Sequence, residues 1–303
     1  MSLFPNNSDE ISLIKFISKY QYLSVKDAKY FFGSSRYYRN RIKKLIDKNI
    51  LRKIKWVLVL GKSGIEYTKL MNFEYNRINT NKKYMQRLLR VGNIGAFYHN
   101  SETIKFTPSF CIKNKNSFTL TARRYIGVLE INGIEYLTYQ ITKEHDKKYI
   151  YSVIYDIQKE SYYKNIILLV DNINRIELNN FIFGINQVLI IEDNENNRKK
   201  LEFLNSININ ELTCKLYKNK VYLAEYNFCD YTDYNNKYVS YFYFIDTEKI
   251  SKIRYFLREN KKSDVEIICS KEIVDILKKE LSEAKFIIID FKEFIQKQRI
   301  FYS

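Results

Sequence analysis

The chain has 303 residues, and its 51 lysines and arginines against 34 aspartates and glutamates give a net charge of +17. Apolar runs such as residues 166–170 and 286–289 have the length of strands. A bilayer-spanning helix needs about 20 apolar residues, and the polar stretch 5–10 interrupts any signal peptide, so we expect a cytoplasmic protein with no membrane partner. The four cysteines are far apart and form no C-x-x-C pair, which indicates reduced thiols. The chain has only two histidines, His99 and His145, so we expect no metal site and no cofactor.

The positive charge is concentrated near the start of the chain. Residues 1–100 contain 20 basic and 6 acidic side chains, whereas residues 101–303 contain 31 and 28. A uniform bias would have spread the excess over both parts. The N-terminal third therefore has the charge of a region that binds a polyanion.

Two helices are predicted before residue 34. Asp9 can cap a helix whose apolar stripe contains Ile11, Ile14, Phe16, Ile17 and Tyr20. Ser24 can then cap a second helix over residues 25–32, which Gly33 can end in the left-handed conformation.

The segment 34–48 is predicted to be a DNA-recognition helix. Ser34 or Ser35 can cap it, and Tyr38, Ile42, Leu45 and Ile46 recur at helical spacing on an inward face. The outward face then offers cationic, amide and phenol groups to phosphates and base edges: Arg36, Tyr37, Arg39, Asn40, Lys43 and Lys44. A solvated basic face on an ordinary helix is the alternative interpretation, but the close spacing of this helix after the preceding one is typical of a helix-turn-helix.

Residues 49–62 are predicted to form two short strands with a tight basic bend near residues 52–55, in the manner of a wing. The partial alternation runs through Leu51, Ile54 and Trp56. The wing would bring Arg52, Lys53 and Lys55 to the phosphate backbone, with Lys62 close behind. Gly61 and Gly64 are expected to provide positive-φ turns, and Ser63 to cap a helix from about residue 65. A Walker-type phosphate loop is excluded, because Trp56 occupies the position of its first glycine.

With the preceding helices, the stretch Leu58-Val59-Leu60-Gly61-Lys62-Ser63-Gly64-Ile65 resembles the winged-helix plasmid replication and relaxation proteins, whose wing strand ends in an L-G-x-x-G turn. The resemblance covers residues 9–75 and the remainder only loosely. It implies a winged helix-turn-helix domain followed by an α/β domain with a mixed sheet, which can be a degenerate core of the restriction-nuclease type. It also implies a role at a replication or transfer origin of a plasmid or mobile element.

Residues 76–104 are predicted to form a basic linking helix that contains Lys82, Lys83, Arg87 and Arg90. Two interpretations remain open: the helix packs as the arm of a homodimer, or it lies against DNA. The expected domains are therefore residues 1–75, the linking helix 76–104, and an α/β domain over 105–303.

Strands and helices alternate in the last domain, which predicts an α/β layer with some parallel strands. A hairpin is expected across Asn132-Gly133. The predicted strands are 125–130, 135–141, 166–170, 187–191, 216–227, 239–245, 265–269 and 285–289. The predicted helices are 149–158, 174–181, 196–204, 247–258 and 271–282.

A nuclease of the restriction type would need an acidic residue on one strand and an E-x-K pair on the next, to hold Mg²⁺ and position water. Glu130 can fill the first position, but Gln140 and Thr142 stand where the pair is required, and Lys143 falls on the opposite face of the strand. His145 is expected to be a loop residue in water. We therefore predict no catalytic residues and a scaffold used for interaction.

These patterns favour a non-enzymatic protein that binds double-stranded DNA at specific sequences. Tyr37, Arg36, Arg39, Asn40 and Lys43 would read base edges, because arginine favours guanine and asparagine favours adenine. Phosphate contacts that fix the register would come from Lys44, Arg52, Lys53, Lys55 and Lys62. Ser35 is a further predicted DNA-binding residue. The α/β domain would bind replication or transfer proteins or mediate self-association. A ligand-sensing transcriptional regulator and a Mg²⁺-dependent nuclease are the alternatives.

Overall fold

The computed structural model describes residue 5 and residues 7–33, 37–78, 81–115, 124–204, 216–217, 221–223, 226, 228–233, 237–260 and 264–291. The chain divides into two compact units. Unit 1 comprises Met1–Ser117 with Ile126–Glu130, and unit 2 comprises Phe118–Tyr125 with Ile131–Ser303. Both contain helices and strands, so the expected α/β class is confirmed. None of the helices in the described ranges has the length and apolar character needed to cross a bilayer.

Unit 1 begins with alternating helices and short strands. The elements are α1 (Ser8–Tyr20), β1 (Leu23–Ser24), a 3-10 helix (Asp27–Phe31), α2 (Tyr38–Asp47), β2 (Leu51–Ile54), β3 (Val57–Leu60), α3 (Lys62–Leu70), α4 (Lys82–Phe97), β4 (Ile104–Pro108), α5 (Ser109–Lys115) and β5 (Gly127–Ile131). Strands β1, β3 and β2 form an antiparallel sheet in that order, in which Leu23 pairs with Leu58 and Lys53 also pairs with Leu58.

The N-cap of α1 is Asn7 rather than the predicted Asp9. The side-chain oxygen of Asn7 accepts a hydrogen bond of 3.0 Å from the Asp9 amide. This leaves Asp9 in the first turn, where a negative charge stabilises the helix dipole. The buried stripe of the helix contains Leu13, Ile14, Phe16, Ile17 and Tyr20.

The second predicted helix is shorter than residues 25–32 and has 3-10 geometry. The N-cap is Lys26 rather than the predicted Ser24, although the Ser24 Oγ accepts from the Asp27 amide at 2.9 Å and donates to the Asp27 carboxylate at 2.7 Å. Gly33 follows with φ of +58°, the left-handed conformation that the sequence predicts.

Helix α4 belongs to the body of unit 1, so this unit is larger than the 1–75 domain predicted from the sequence. Leu88 and Leu89 are buried in a cluster with Tyr22, Val57 and Val59. Two glycines permit this close packing. A Cβ on Gly92 would lie 2.2 Å from the carbonyl oxygen of Tyr22, and a Cβ on Gly95 would lie 2.8 Å from the Tyr20 ring.

Unit 2 contains β6 (Ile134–Ile141), α6 (Lys147–Lys159), β7 (Asn165–Val170), two 3-10 helices (Ile173–Arg175 and Leu178–Phe181), β8 (Gln187–Glu192), α7 (Glu195–Leu201), β9 (Val221–Leu223), β10 (Tyr231–Asp233), β11 (Tyr238–Phe242), β12 (Ile245–Asp246), α8 (Thr247–Glu259), β13 (Val265–Cys269), α9 (Val274–Glu280) and β14 (Lys285–Ile288). The two 3-10 helices replace the single helix predicted over 174–181. Only 216–217, 221–223 and 226 of the predicted strand 216–227 are described.

The strands of unit 2 form two sheets with mixed directions. In one sheet β6, β7 and β8 are parallel, and β12 is antiparallel to β8. In the other, β11, β13 and β14 are parallel, while β10 is antiparallel to both β11 and β9. The connection from β5 to β6 is the predicted turn, since Asn132 and Gly133 have φ of +49° and +82°, as in a type I′ turn.

Candidate nucleic-acid interface

Helix α2 begins at Tyr38, with Tyr37 as its N-cap. Ser34, Ser35 and Arg36, which the sequence assigns to the start of this helix, lie outside the described residues. Ile42 and Leu45 are buried, as the helical spacing predicts. The helix ends at Asp47, and the backbone turns at Asn49 with φ of +56°.

The outward face of α2 is the one expected from the sequence. Tyr37 has 72% of its surface exposed, and four further predicted DNA contacts are exposed on the helix: Arg39, Asn40, Lys43 and Lys44. The α2 side chains with the greatest capacity for polar contacts to a polyanion therefore face solvent.

Arg39 is oriented by the tyrosine beside it. Its Nε donates to the Tyr38 hydroxyl at 3.3 Å, and the guanidinium carbon lies 5.8 Å from the centre of the Tyr38 ring. The hydrogen bond to Tyr38 raises the pKa of Arg39 above its ordinary value. The cation is thus fully charged, and its exposed N–H groups remain available for a planar, two-pronged contact.

Arg41 is the exception on this basic helix. Its guanidinium lies 3.0 Å from the Asp9 carboxylate and 3.3 Å from that of Glu10, and it packs 5.3 Å from the centre of the Phe32 ring. Positions 38, 41, 42 and 45 fall on one side of a helix. The sequence therefore contained a signal that Arg41 binds the protein itself.

The β2–β3 hairpin exposes a second group of cations. Leu51 is the buried residue of β2, whereas Arg52, Lys53 and Ile54 are exposed, and so is Lys55 in the bend. The bend lies at Lys55-Trp56, at the end of the predicted 52–55 region, and Lys55 has φ of +56°. Arg52 and Lys53 therefore lie on a strand that holds them in place.

The partial alternation through Leu51, Ile54 and Trp56 does not correspond to one buried face, because only Leu51 of the three is buried. The indole is 57% exposed at the bend, and Ile54 is 39% exposed next to it. Trp56 is the only tryptophan in the chain. The ring lies at the bend because Val57, the next residue, starts β3 and points into the core.

Lys62 is exposed as the first residue of α3. Gly61 caps this helix with φ of −85°, and the prediction that Gly61 and Gly64 supply positive-φ turns is wrong. Both glycines instead allow close packing: their Cβ atoms would lie 2.2 Å from the Asn49 carbonyl oxygen and 2.1 Å from that of Ile50. Ser63 lies inside α3 rather than capping it.

The predicted cations share one property that Arg41 lacks. Within the described part of the chain, none of them forms an ion pair: Arg39, Lys43, Lys44, Arg52, Lys53, Lys55 and Lys62. The positive charge on α2 and on the β2–β3 hairpin favours an anionic partner, because no carboxylate among the described residues pairs with these seven side chains.

The residues considered for nuclease chemistry have other contacts. Glu130 pairs with Lys105 at 3.1 Å in unit 1. Gln140 is buried in unit 2 and its Nε2 donates to Asp193 at 2.6 Å, while Asp193 also accepts from Arg198. Among described residues, no group of three or more His, Cys, Asp and Glu side chains is arranged to hold a metal ion.

The two histidines lie in different units and have structural contacts. His99 Nε2 lies 2.7 Å from the Ser12 hydroxyl, and burial together with nearby Lys15 lowers the pKa of His99. His145 is half-buried rather than solvated, since its Nδ1 accepts from the Thr142 amide at 3.0 Å and its ring stacks on Tyr149.

Comparisons of the chain with protein-family models, curated proteins and solved structures each give no match.

Proposed function

We propose that unit 1 is a winged-helix module that binds double-stranded DNA, with α2 in the major groove and the β2–β3 hairpin as the wing. The order of elements supports this: α1, β1, a short helix, α2, β2 and β3 follow one another, with the sheet order β1-β3-β2. In helix-turn-helix proteins the second helix of the motif reads the major groove.

The observation that carries the proposal is the contrast between two arginines of α2, one of which is ion-paired while the other is exposed to solvent. Arg41 is paired with Asp9 and Glu10, whereas Arg39 faces solvent with Lys43 and Lys44. A basic helix that served only stability would pair its exposed cations in the same way. The outward charge of α2 is therefore best explained by a ligand.

The proposed DNA contacts fall into two groups, those to base edges and those to phosphates. Arg39 and Asn40, with Tyr37 and Lys43, have the groups that read base edges. Lys44, Lys62 and the hairpin residues Arg52, Lys53 and Lys55 act on phosphates and set the position of the protein. Trp56 and Ile54 form the apolar end of the hairpin, and side chains of this kind contact sugars or enter the minor groove.

We further propose a role at a replication or transfer origin of a plasmid or mobile element, which is supported by the resemblance over residues 9–75. In this proposal unit 2 acts without catalysis and binds partner proteins or a second copy of the chain. The absence of a carboxylate at Gln140 supports it, because Mg²⁺-dependent cleavage depends on a second acidic ligand. Nicking of supercoiled plasmid in Mg²⁺ would show that this part is wrong.

The test of duplex binding compares the whole protein with two variants of equal charge. One replaces Lys43, Lys44, Lys53 and Lys55 by alanine. The control replaces four exposed lysines of unit 2: Lys143, Lys164, Lys271 and Lys278. The proposal predicts that only the first variant loses most of its affinity for a labelled duplex at low salt. Equal loss in both variants would mean that binding follows net charge alone.

A further inference from the structure

Helix α6 of unit 2 exposes a row of aromatic and cationic side chains. Lys148, Tyr151, Tyr155 and Lys159 are separated by three or four residues and therefore lie along one face of the helix. Tyr151 and Tyr155 are 61% and 53% exposed, and both lysines are exposed. The opposite face, with Val153, Asp156 and Ile157, is buried.

The row has positive charge without a compensating carboxylate on the helix. Asp156 is the only acidic residue of α6. It is 5% exposed and is occupied by Arg124, whose backbone amide donates at 2.9 Å and whose guanidinium lies 3.4 Å away. The exposed face therefore carries Lys148 and Lys159 and no carboxylate of α6 itself, a charge that suits an anionic partner.

The rings of Tyr151 and Tyr155 are arranged so that flat aromatic groups can stack on them. The Lys159 ammonium lies 4.2 Å from the centre of the Tyr155 ring, and this cation–π contact limits the ring's motion. Tyr151 precedes it by one helical turn, about 5.4 Å along the axis. Two rings at this spacing offer successive flat surfaces between two positive charges.

We propose that this face of α6 binds single-stranded nucleic acid, with bases stacked on Tyr151 and Tyr155 and phosphates held by Lys148 and Lys159. Aromatic rings combined with backbone-tracking cations are the general means of binding single strands without sequence preference. A duplex hides its base faces, so it cannot use the rings in this way. Symmetric pairing with a second copy is disfavoured, because like charges would face each other. The inference goes beyond duplex binding by unit 1 and does not depend on it.

The experiment measures fluorescence anisotropy of a labelled oligothymidylate of about 20 nucleotides, longer than the roughly 4–16 nucleotides of a typical site. We expect the full chain with Tyr151→Ala and Tyr155→Ala to lose about 5- to 150-fold in affinity per ring, which corresponds to about 1–3 kcal/mol per stacked base. Phenylalanine at both positions keeps the rings and should preserve binding. An abasic oligomer of the same length, with phosphates but no bases, should bind wild type and double-alanine variant equally.

Tyr255→Ala is the matched control, because Tyr255 is 69% exposed on α8 of the same unit and adjacent Arg254 is ion-paired with Glu280. It should leave single-strand affinity unchanged, and the α6 variants should leave duplex affinity unchanged. Unaltered oligothymidylate binding by the double-alanine variant would overturn the proposal. A change of that variant's oligomeric state without a loss of single-strand affinity would overturn it as well and would assign the face to self-association.

Discussion

Gly61 faces the carbonyl oxygen of Asn49 so closely that a Cβ atom on Gly61 would lie 2.2 Å from it. The same carbonyl accepts a hydrogen bond of 3.1 Å from the Ser63 amide at the start of α3. The Gly61 amide donates at 2.9 Å to the carbonyl oxygen of Ile50, which joins the end of β3 to the segment that follows α2. This contact holds the proposed recognition helix and the hairpin in a fixed arrangement.

Gly61→Ala is predicted to destabilise the protein by about 1–3 kcal/mol or more, because backbone atoms must move apart to admit the methyl group. Gly33→Ala is the comparison: nothing lies within 4 Å of its Cβ position, so only the left-handed backbone costs energy, about 1–2 kcal/mol. Urea unfolding measures both variants. A Gly61→Ala protein as stable as the wild type would contradict the close contact.

Alanine substitutions of Arg39 and Arg41 should have different effects, the first on DNA binding and the second on the free energy of unfolding. Arg39→Ala is expected to relax base preference and cost about 1–3 kcal/mol on the preferred duplex, with little change in unfolding. Arg41→Ala breaks partly exposed ion pairs, so it should lower the free energy of unfolding by up to about 1 kcal/mol and retain base preference. Binding-site selection from a random duplex library and thermal unfolding measure the two effects. The opposite assignment of effects would refute the roles given to these arginines.

Lys53→Ala should weaken binding to all duplex sequences alike. If Lys53 contacts one phosphate, its loss should reduce the slope of log affinity against log salt by about 0.9. Lys143→Ala removes the same charge from an exposed site in unit 2 and should leave the slope unchanged. Affinities measured over a series of salt concentrations give the slope. A loss confined to one sequence would place Lys53 on a base edge instead.

Acidification should destabilise the protein through His99. Because burial and Lys15 lower the pKa of His99 in the folded state, the unfolded chain takes up a proton more readily below a pH of about 6.5. The free energy of unfolding should be constant above that pH and fall as the pH decreases toward the depressed folded pKa. His99→Gln should flatten this dependence, whereas His145→Gln in the other unit serves as the control. Stability that rises on acidification would exclude this role.

Local sequence signals correctly predicted helix ends and turns where the backbone conformation of single residues determines them. Gly33 marks the end of the second helix, and Asn132-Gly133 marks a two-residue turn, because these residues act through their own dihedral angles. The tertiary roles of Gly61, Gly64, Gly92 and Gly95 were not predictable, since each depends on a backbone carbonyl or ring that is distant in sequence. The exposure of Trp56 was not predictable either, because hydrophobicity alone does not distinguish a buried strand position from a hairpin bend.

The extent of unit 1 was also not predictable, because it depends on tertiary packing of α4. The basic composition of α4 suggested a linking helix, yet its apolar face with Leu88 and Leu89 is buried beside Tyr22. Composition describes the exposed face of such a helix, whereas the close packing of α4 against Tyr20 and Tyr22 depends on the glycines at positions 92 and 95.

The most direct measurement of duplex binding follows the fluorescence of Trp56, the single tryptophan of the chain, which is 57% exposed at the hairpin bend. Titration with duplex DNA at low ionic strength should change its emission in a saturable way, and added salt should reverse the change because phosphate contacts are lost. Duplex addition that leaves both the emission of Trp56 and the anisotropy of labelled DNA unchanged would contradict the assignment of unit 1 as a DNA-binding module.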